Sequence, residues 1–429
     1  MGINIRTTSF KIFKLQDYVL FICLFLCTYA KSGLWYKITF FSSTLKSFGP
    51  DVLAFILAFY LYLYSISRKY KIRNKVIYIA TLVTASYSVI KLIETIDLVG
   101  MREAFTIYRI NYISLISLLL LYRYISNMKY DTISHMFELM KKWLIPIFII
   151  YILQCAGIPV FSRAQVETVA NISVNRSIAG IPPVIPVLFA YCIVCLLERK
   201  SHKNILYAGI CLAVPFMSFT RSLLASAFMI LVISVLLYVH KRGMRDNFKL
   251  VLYSVCALAA TALLAPKTLS YWEALVESTY NYQLKENVGT YAFRERLIQH
   301  AVDVNESTGA ELVGQGYIRD SKKGEYSLVL GSDTFIAPII WCEGYLGLIF
   351  RVSISLSLLL IAYFYHYRSK NKERQLLGII VISVVLVQIP NYVQTGIVMQ
   401  FGYTVPLLYM LIVQASLLMK QESNLYKKI

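Results

Sequence analysis

Long apolar segments alternate with short basic segments along almost the whole of this chain. Each apolar segment is long enough, or nearly long enough, to cross a hydrocarbon core of about 30 Å as an α-helix rising about 1.5 Å per residue. The segments lie near residues 15–30, 51–67, 76–93, 108–125, 143–160, 181–197, 204–219, 222–239, 248–265, 345–365, 376–392 and 402–419. The pattern predicts an all-α polytopic membrane protein with about twelve transmembrane helices.

The longest polar stretch, residues 266–333, interrupts this pattern. Everything around it is typical of a membrane scaffold, so residues 1–429 are predicted to form a single integral membrane domain with 266–333 as a large loop within it. The loop is therefore the first place to look for chemistry.

Composition supports a membrane protein and excludes an ordinary soluble domain. Of 429 residues, 58% are hydrophobic and only 15% are charged, and the mean hydropathy is +0.60. A soluble domain could not bury so much apolar surface.

The uneven distribution of basic residues indicates how the chain is oriented. Lys and Arg concentrate in short segments such as 68–75 and 368–374. Cytoplasmic loops carry this excess, so both termini are predicted to be cytoplasmic. The outward loops are then 31–50, 94–107, 161–180, 266–333 and 393–401. The net charge of +20 follows from this bias, with some attraction to anionic lipid headgroups, and does not indicate nucleic-acid binding.

The sequence has only a weak signal for a metal or redox site, the C-x-x-C spacing of Cys192 and Cys195 inside an apolar segment with no second pair. Its eight cysteines lie in or beside apolar segments, where they are most simply small core residues. No Asp-x-Asp sequence occurs, and no group of His, Cys and carboxylate residues has the spacing of metal ligands. We therefore expect no metal ion and no cofactor.

The predicted spans lack the charges that ion-coupled transport usually requires. The centres of the spans, for example Val76–Ile90, Leu223–Val239 and Tyr403–Met419, contain no Asp, Glu, Lys or Arg. Ion-coupled transporters usually keep ionisable residues at membrane depth, and the two halves of the chain show no inverted repeat. These features argue against a flippase or exporter.

Three arginines are predicted near the outer surface. Arg221 lies in the short link Ser-Phe-Thr-Arg-Ser between two apolar segments, and Arg176 just before a span has the same depth. Each can snorkel to the headgroups or hold a phosphate, for which the planar guanidinium is well suited. Arg351, one turn past Gly347, is interpreted as snorkelling.

The large loop contains the remaining candidates. Spacing predicts an amphipathic surface helix over Ala292–Val304, with Arg294 and Arg296 on different faces. Gly314-Gln315-Gly316 is interpreted as a flexible turn. Asp333 is predicted to open the next helical run.

That helical run is too long to be one straight span. A continuous helix from Asp333 to His366 would extend about 50 Å, so it must project outward or break. The predicted positions for the break are Pro338, Gly344 and Gly347.

The order of these features resembles the O-antigen polymerase and O-antigen ligase superfamily of bacterial envelope glycosyltransferases. Arg296 precedes the Gly-x-Gly turn by about eighteen residues, as an arginine does in that family, whereas Arg294 does not. Arg221 matches the arginine of the family's short outer turn. Arg176 matches the arginine of an Arg-x-x-x-Gly sequence that precedes a span in the family. Asp333 stands before Glu-Gly-x-x-Gly where family members carry His. The resemblance covers roughly residues 170–365.

The resemblance implies both a fold and an activity. The fold would be GT-C-like, in a bacterial cytoplasmic membrane, with the site facing the periplasm. The activity would be metal-independent polymerisation of undecaprenyl-diphosphate-linked oligosaccharide repeat units into O-antigen or a related surface polysaccharide. Membrane lipids, chain-length regulators and flippases are the implied partners.

Roles for individual residues follow from the same resemblance. Arg176, Arg221, Arg294 and Arg296 would bind the diphosphate or sugar, with Arg221 and Arg296 also assisting catalysis. Asp333 would be the general base toward the acceptor hydroxyl. Its alternative interpretation is a helix N-cap.

Two other functions stay open. A ligase would pass the polysaccharide to another acceptor, and the absence of His at 333 disfavours it. A non-enzymatic flippase or exporter of the lipid-linked oligosaccharide is the third candidate.

Overall fold

The computed structural model describes residues 14–26, 43–128, 130–156, 158, 165–169, 172–176, 184–198, 202–217, 221–242, 266–278, 280–281, 290–318 and 336–394. The first helices are α1 (Leu15–Phe25), α2 (Ser43–Ser67), α3 (Lys75–Val99), α4 (Met101–Ile125), α5 (Tyr130–Lys142) and α6 (Leu144–Cys155). After a two-stranded hairpin come α7 (Ile185–Glu198), α8 (His202–Met217), α9 (Arg221–Arg242), α10 (Pro266–Ser278) and α11 (Thr290–Thr308). The last are α12 (Ile336–Ile361), a π-helix (Ala362–Tyr367) and α13 (Lys372–Gln394).

The hairpin is the one described departure from a helical architecture. Its strands, β1 (Gln165–Val169) and β2 (Ile172–Arg176), pair antiparallel, with Gln165 opposite Arg176. The sequence placed an outer loop here and predicted no strands. β2 lies beside α6 and α10.

The helices agree with the prediction of a membrane protein. Among the described residues, four helices are long and apolar enough to cross a membrane: Gly49–Ser67, Lys75–Val99, Leu224–Arg242 and Ile336–Phe364. Of the predicted spans, 248–265 and 402–419 lie outside the described residues, and the others overlap described helices. The number of spans and the GT-C-like fold stay predictions.

Capping residues at both ends explain where α3 begins and ends. Asn74 precedes the helix, and its side chain accepts a hydrogen bond of 3.2 Å from the Ile77 N–H, as an N-cap residue does. Gly100 ends the helix with a φ of +80°, a conformation that glycine adopts readily. α4 begins at the next residue and packs along α3.

The core of the second half of the chain is built around α7. Almost every residue of α7 is buried, because α5, α8, α9 and α13 surround it. A helix that is apolar on all sides is typical of this central position. Between α9 and α13, the hydroxyl groups of Ser234 and Ser383 form a hydrogen bond of 2.9 Å.

α12 breaks at Gly344, one of the three predicted positions. Gly344 has φ +61° and ψ −163°, which are not helical values. The half of α12 before the break packs on α11, where Leu297 and Ala301 contact Ile340 and Trp341. The predicted amphipathic helix is confirmed as part of α11, since Leu297, Ala301 and Asn305 are buried while Glu295 and Gln299 are exposed.

Candidate functional site

The break in α12 is joined to the Gly-x-Gly turn by an exchange of backbone hydrogen bonds. In an unbroken helix, the N–H groups of Tyr345 and Leu346 would donate to the carbonyls of Trp341 and Cys342. Here they donate instead to Glu311 O at 2.8 Å and Leu312 O at 3.0 Å. The two carbonyls that the break leaves free accept from Gln315 N–H at 2.6 Å and Gly316 N–H at 3.1 Å.

A third carbonyl near the break is paired by a side chain. The Asn305 amide of α11 donates to Ile340 O at 2.6 Å, and its oxygen accepts from the Gln315 amide at 3.1 Å. Gln315 also donates to the Thr308 hydroxyl. Because an unpaired backbone group buried away from water is costly, these contacts let a helix break persist inside the protein.

The two glycines at the centre of this contact have no room for a side chain. A Cβ on Gly314 would lie 2.5 Å from Glu343 N, and a Cβ on Gly344 would lie 2.5 Å from Leu312 O. Both also have a positive φ. The interpretation of the Gly-x-Gly segment as a flexible turn was therefore wrong, since the turn is fixed in the break of α12.

A buried carboxylate lies directly beneath this turn. The Glu343 side chain is 0% exposed and accepts from the Tyr87 hydroxyl of α3 at 2.6 Å. Its other oxygen accepts from the Tyr317 hydroxyl and from the Arg351 guanidinium. Gly347 lies against the same carboxylate, and a Cβ there would lie 2.7 Å from its oxygen. In the motif Glu-Gly-x-x-Gly, Glu343 thus supplies the buried acid and Gly344 the helix break. Gly347 leaves the space that the carboxylate occupies.

Arg351 does not snorkel, which corrects the interpretation made from the sequence. It is 4% exposed, and its guanidinium donates to Glu343 and, at 3.3 Å, to the Tyr317 hydroxyl. Snorkelling would require an exposed guanidinium. An ion pair in a low-dielectric interior removes the need for that exposure.

α3 contributes a second buried charge beside the turn. The Lys91 ammonium donates to Glu94 at 2.7 Å and to Val313 O at 3.2 Å, and Lys91 is buried. At about 1.5 Å per residue, Lys91 lies about 24 Å from Lys75 and about 12 Å from Val99 along α3. The turn therefore meets α3 about 12 Å before its end, at a buried lysine just past the charge-free centre Val76–Ile90.

The predicted arginines of α11 lie on different faces, as expected. Arg294 is half-buried, whereas Arg296 is exposed and its Nε donates to Ala292 O of its own helix at 3.3 Å. Spacing had favoured Arg296 as the residue facing the site. The structure gives the more buried position to Arg294, and the role of each stays a prediction.

Of the other two predicted arginines, Arg176 lies on a strand that contacts α10, and Arg221 follows a helix that contacts α10. Arg176 ends β2, which lies beside α10. Arg221 begins α9, just after α8, and Trp272 of α10 donates to Phe216 O near the end of α8 at 3.3 Å. The Phe216 and Trp272 rings stack at 5.7 Å. Asp333 lies outside the described residues.

Sequence reasoning missed the chemistry around Glu343. Glu343 was noted only as part of a motif, and nothing in the sequence singles out Tyr87, Tyr317 or Lys91. Beside the turn, the structure groups the buried Glu343 with two phenols and the Arg351 guanidinium, and the buried Lys91 contacts the turn itself. Among the described residues, no group of three or more His, Cys, Asp or Glu side chains could hold a metal ion.

Comparison with known proteins adds no assignment. No protein-family model matches the chain, and no curated protein matches it.

Proposed function

We propose that this protein is a membrane glycosyltransferase that polymerises oligosaccharide repeat units linked to undecaprenyl diphosphate. The observation that carries the proposal is the interlocking of the Gly-x-Gly turn with the Glu-Gly-x-x-Gly helix. These are two of the motifs on which the resemblance to the polymerase and ligase superfamily rests. Their direct contact supports reading them as parts of one site.

The proposed reaction forms one glycosidic bond and breaks one sugar–phosphate bond. The acceptor hydroxyl attacks the anomeric carbon of the donor sugar and transfers its proton to Asp333. The diphosphate leaves on its lipid carrier, and Arg176, Arg221 and Arg294 or Arg296 neutralise its charge. Each preorganised contact of this kind contributes roughly 2.7–4 kcal/mol in the transition state.

The proposed location follows from the chemistry of the donor. The protein lies in a bacterial cytoplasmic membrane with both termini in the cytoplasm and the site facing outward, where a lipid-linked unit presents its sugars. Its partners in this proposal are the lipid-linked oligosaccharide, membrane lipids, a flippase that supplies the donor and a chain-length regulator.

The test is polymerisation of purified lipid-linked repeat units by the purified full-length protein in liposomes. Arg221→Ala and Asp333→Ala are each expected to lower the rate at least about a hundredfold. Arg221→Lys is expected to fail as well, because an ammonium cannot reproduce the paired contacts of a guanidinium with a phosphate.

Arg102→Ala is the matched control, since Arg102 is an exposed arginine in a predicted outer loop and belongs to none of the motifs. It is expected to polymerise at the wild-type rate. Near-normal activity of folded Arg221→Ala and Asp333→Ala protein would refute the proposed site.

The second candidate is an exporter of the lipid-linked oligosaccharide, and the buried charges of Glu343, Arg351 and Lys91 favour it. Ionisable groups at membrane depth are typical of transport proteins. An exporter predicts that Arg221→Ala and Asp333→Ala cells still make polymer but misplace it. If the protein is a ligase, cells carrying the same two variants should make polymer that is not joined to its final acceptor.

A further inference from the structure

Two candidate membrane spans end side by side at one basic and aromatic surface. The span Leu224–Arg242 ends with α9, and the span Ile336–Phe364 ends within the π-helix. The two ends are joined where the Tyr367 hydroxyl donates to Leu237 O at 3.2 Å. Since both apolar segments stop here, this surface lies at the level of the lipid headgroups.

Cations are packed on aromatic rings at this level. The Lys241 ammonium lies 4.7 Å from the centre of the Tyr367 ring, and the Arg368 guanidinium lies 6.0 Å from the centre of the Phe364 ring. Tyr363 stacks on Tyr367 at 5.8 Å. Phe364 is 54% exposed and Tyr363 42% exposed, as aromatic residues at a membrane interface are.

The carboxylates whose side chains the structure describes near this surface do not pair with four of its cations. Glu198 pairs with Lys372 and accepts from the Tyr238 hydroxyl at 3.3 Å. Within the described part of the chain, Lys241, Arg242, Arg368 and Lys370 form no ion pair with a carboxylate. Four cations therefore remain available to a ligand that brings its own negative charge.

The backbone beneath the surface is fixed. Gly378 of α13 approaches the π-helix so closely that a Cβ on it would lie 2.8 Å from Tyr367 N and 3.2 Å from Ala362 O. Lys241 and Arg242 of α9 thus lie beside a fixed π-helix, and Arg368 and Lys370 follow directly after it.

We infer that this surface, the basic interface cluster of Lys241, Arg242, Tyr363, Phe364, Arg368 and Lys370, binds the headgroup of an anionic phospholipid. A phosphate diester accepts hydrogen bonds from Arg and Lys, and the acyl chains continue along the apolar faces of α9 and α12. Anionic lipid attracts basic residues next to a span. The inference does not depend on the proposed glycosyltransferase activity.

The test measures the thermal stability of the full-length protein in nanodiscs of phosphatidylcholine alone and of phosphatidylcholine with phosphatidylglycerol in equal parts. Wild-type Tm is expected to rise with phosphatidylglycerol. The variant K241Q/R368Q/K370Q is expected to lose more than half of that rise and to bind short-chain phosphatidylglycerol on the order of tenfold or more weakly.

The matched control is K69Q/K71Q/K75Q. It removes the same charge from exposed residues that follow the end of another candidate span, Gly49–Ser67, and it should keep the whole rise. Equal losses in both triple variants would overturn the inference, because they would show general electrostatic attraction instead of a site.

A single variant keeps the inference testable if the triple variant does not fold. Arg368→Gln is compared with wild type by native mass spectrometry, counting phosphatidylglycerol molecules retained by the protein. Fewer retained molecules support the cluster, and equal retention overturns it.

Discussion

The buried ion pair between Glu343 and Arg351 is the residue-scale feature with the clearest energetic consequence. Neither charge reaches water, and the carboxylate also accepts from Tyr87 and Tyr317. Removing one partner leaves an uncompensated charge in the interior, which typically costs about 3–5 kcal/mol. We therefore expect Arg351→Met to lower the free energy of unfolding by about that amount, measured by denaturant titration in mixed micelles.

Combining Glu343→Gln with Arg351→Met should restore most of the lost stability, because neither charge of the pair remains and the amide oxygen still accepts from a tyrosine. Arg102→Met, at an exposed arginine, is the control and should change stability by less than about 0.5 kcal/mol. If Arg351→Met behaved like Arg102→Met, the snorkelling interpretation would be correct after all.

At the scale of elements, the contact between the Gly-x-Gly turn and the broken α12 determines how the outer loop is held. Gly314 has a φ of +77° and no space for a Cβ. Gly309 has a φ of +68° but nothing within 4 Å of a Cβ. Gly309→Ala should therefore cost only the backbone strain, about 1–2 kcal/mol, whereas Gly314→Ala should cost at least about 2 kcal/mol more.

Unfolding of the two glycine variants under the same conditions measures this difference. Limited proteolysis is a second readout, because a turn released from α12 should be cleaved faster between α11 and α12. Equal stability and equal cleavage of Gly309→Ala and Gly314→Ala would mean that the turn is free, as first expected from its sequence.

At the scale of the whole molecule, the orientation of the chain across the membrane is still a prediction. The positive-inside distribution predicts that Lys69 faces the cytoplasm and Arg102 faces outward. Both residues are exposed, so a cysteine introduced at either position should react with a membrane-impermeant thiol reagent from its own side. We expect Arg102→Cys to be labelled in intact spheroplasts and Lys69→Cys only after the membrane is opened.

The parent protein provides the background for this labelling, and its Cys23, Cys192, Cys195, Cys211 and Cys342 are buried or half-buried. Labelling of Lys69→Cys in intact spheroplasts would reverse the orientation. It would also move the loop 266–333 to the cytoplasm, where a lipid-linked donor is not expected to present its sugars.

Several elements were predictable because they depend on patterns within one segment. Apolar length predicts a span, and the spacing of Leu297, Ala301 and Asn305 predicts an amphipathic helix. The break of α12 was predictable in part for a similar reason, since a helix too long for one span had to project outward or break, and Gly344 was one of three predicted positions.

The candidate site was less predictable, because its contacts join segments far apart in sequence. Glu343 and Arg351 are eight residues apart, which is about 12 Å along an unbroken helix and outside the i, i+4 spacing that sequence analysis searches. Their partners Tyr87 and Tyr317 come from α3 and from the loop. Likewise, the choice between Arg294 and Arg296 depends on which face of α11 packs against α12.

The sequence by itself therefore determined that this is a helical membrane protein, where its apolar segments lie and which loop is the longest polar one, because these follow from local hydropathy and helix geometry. Only the tertiary structure decided that the loop turn fills the break in α12 and that Arg351 is paired in the interior. The physical reason is that a buried charge or an unpaired backbone group must find a partner wherever the fold brings one, and sequence distance does not restrict that choice.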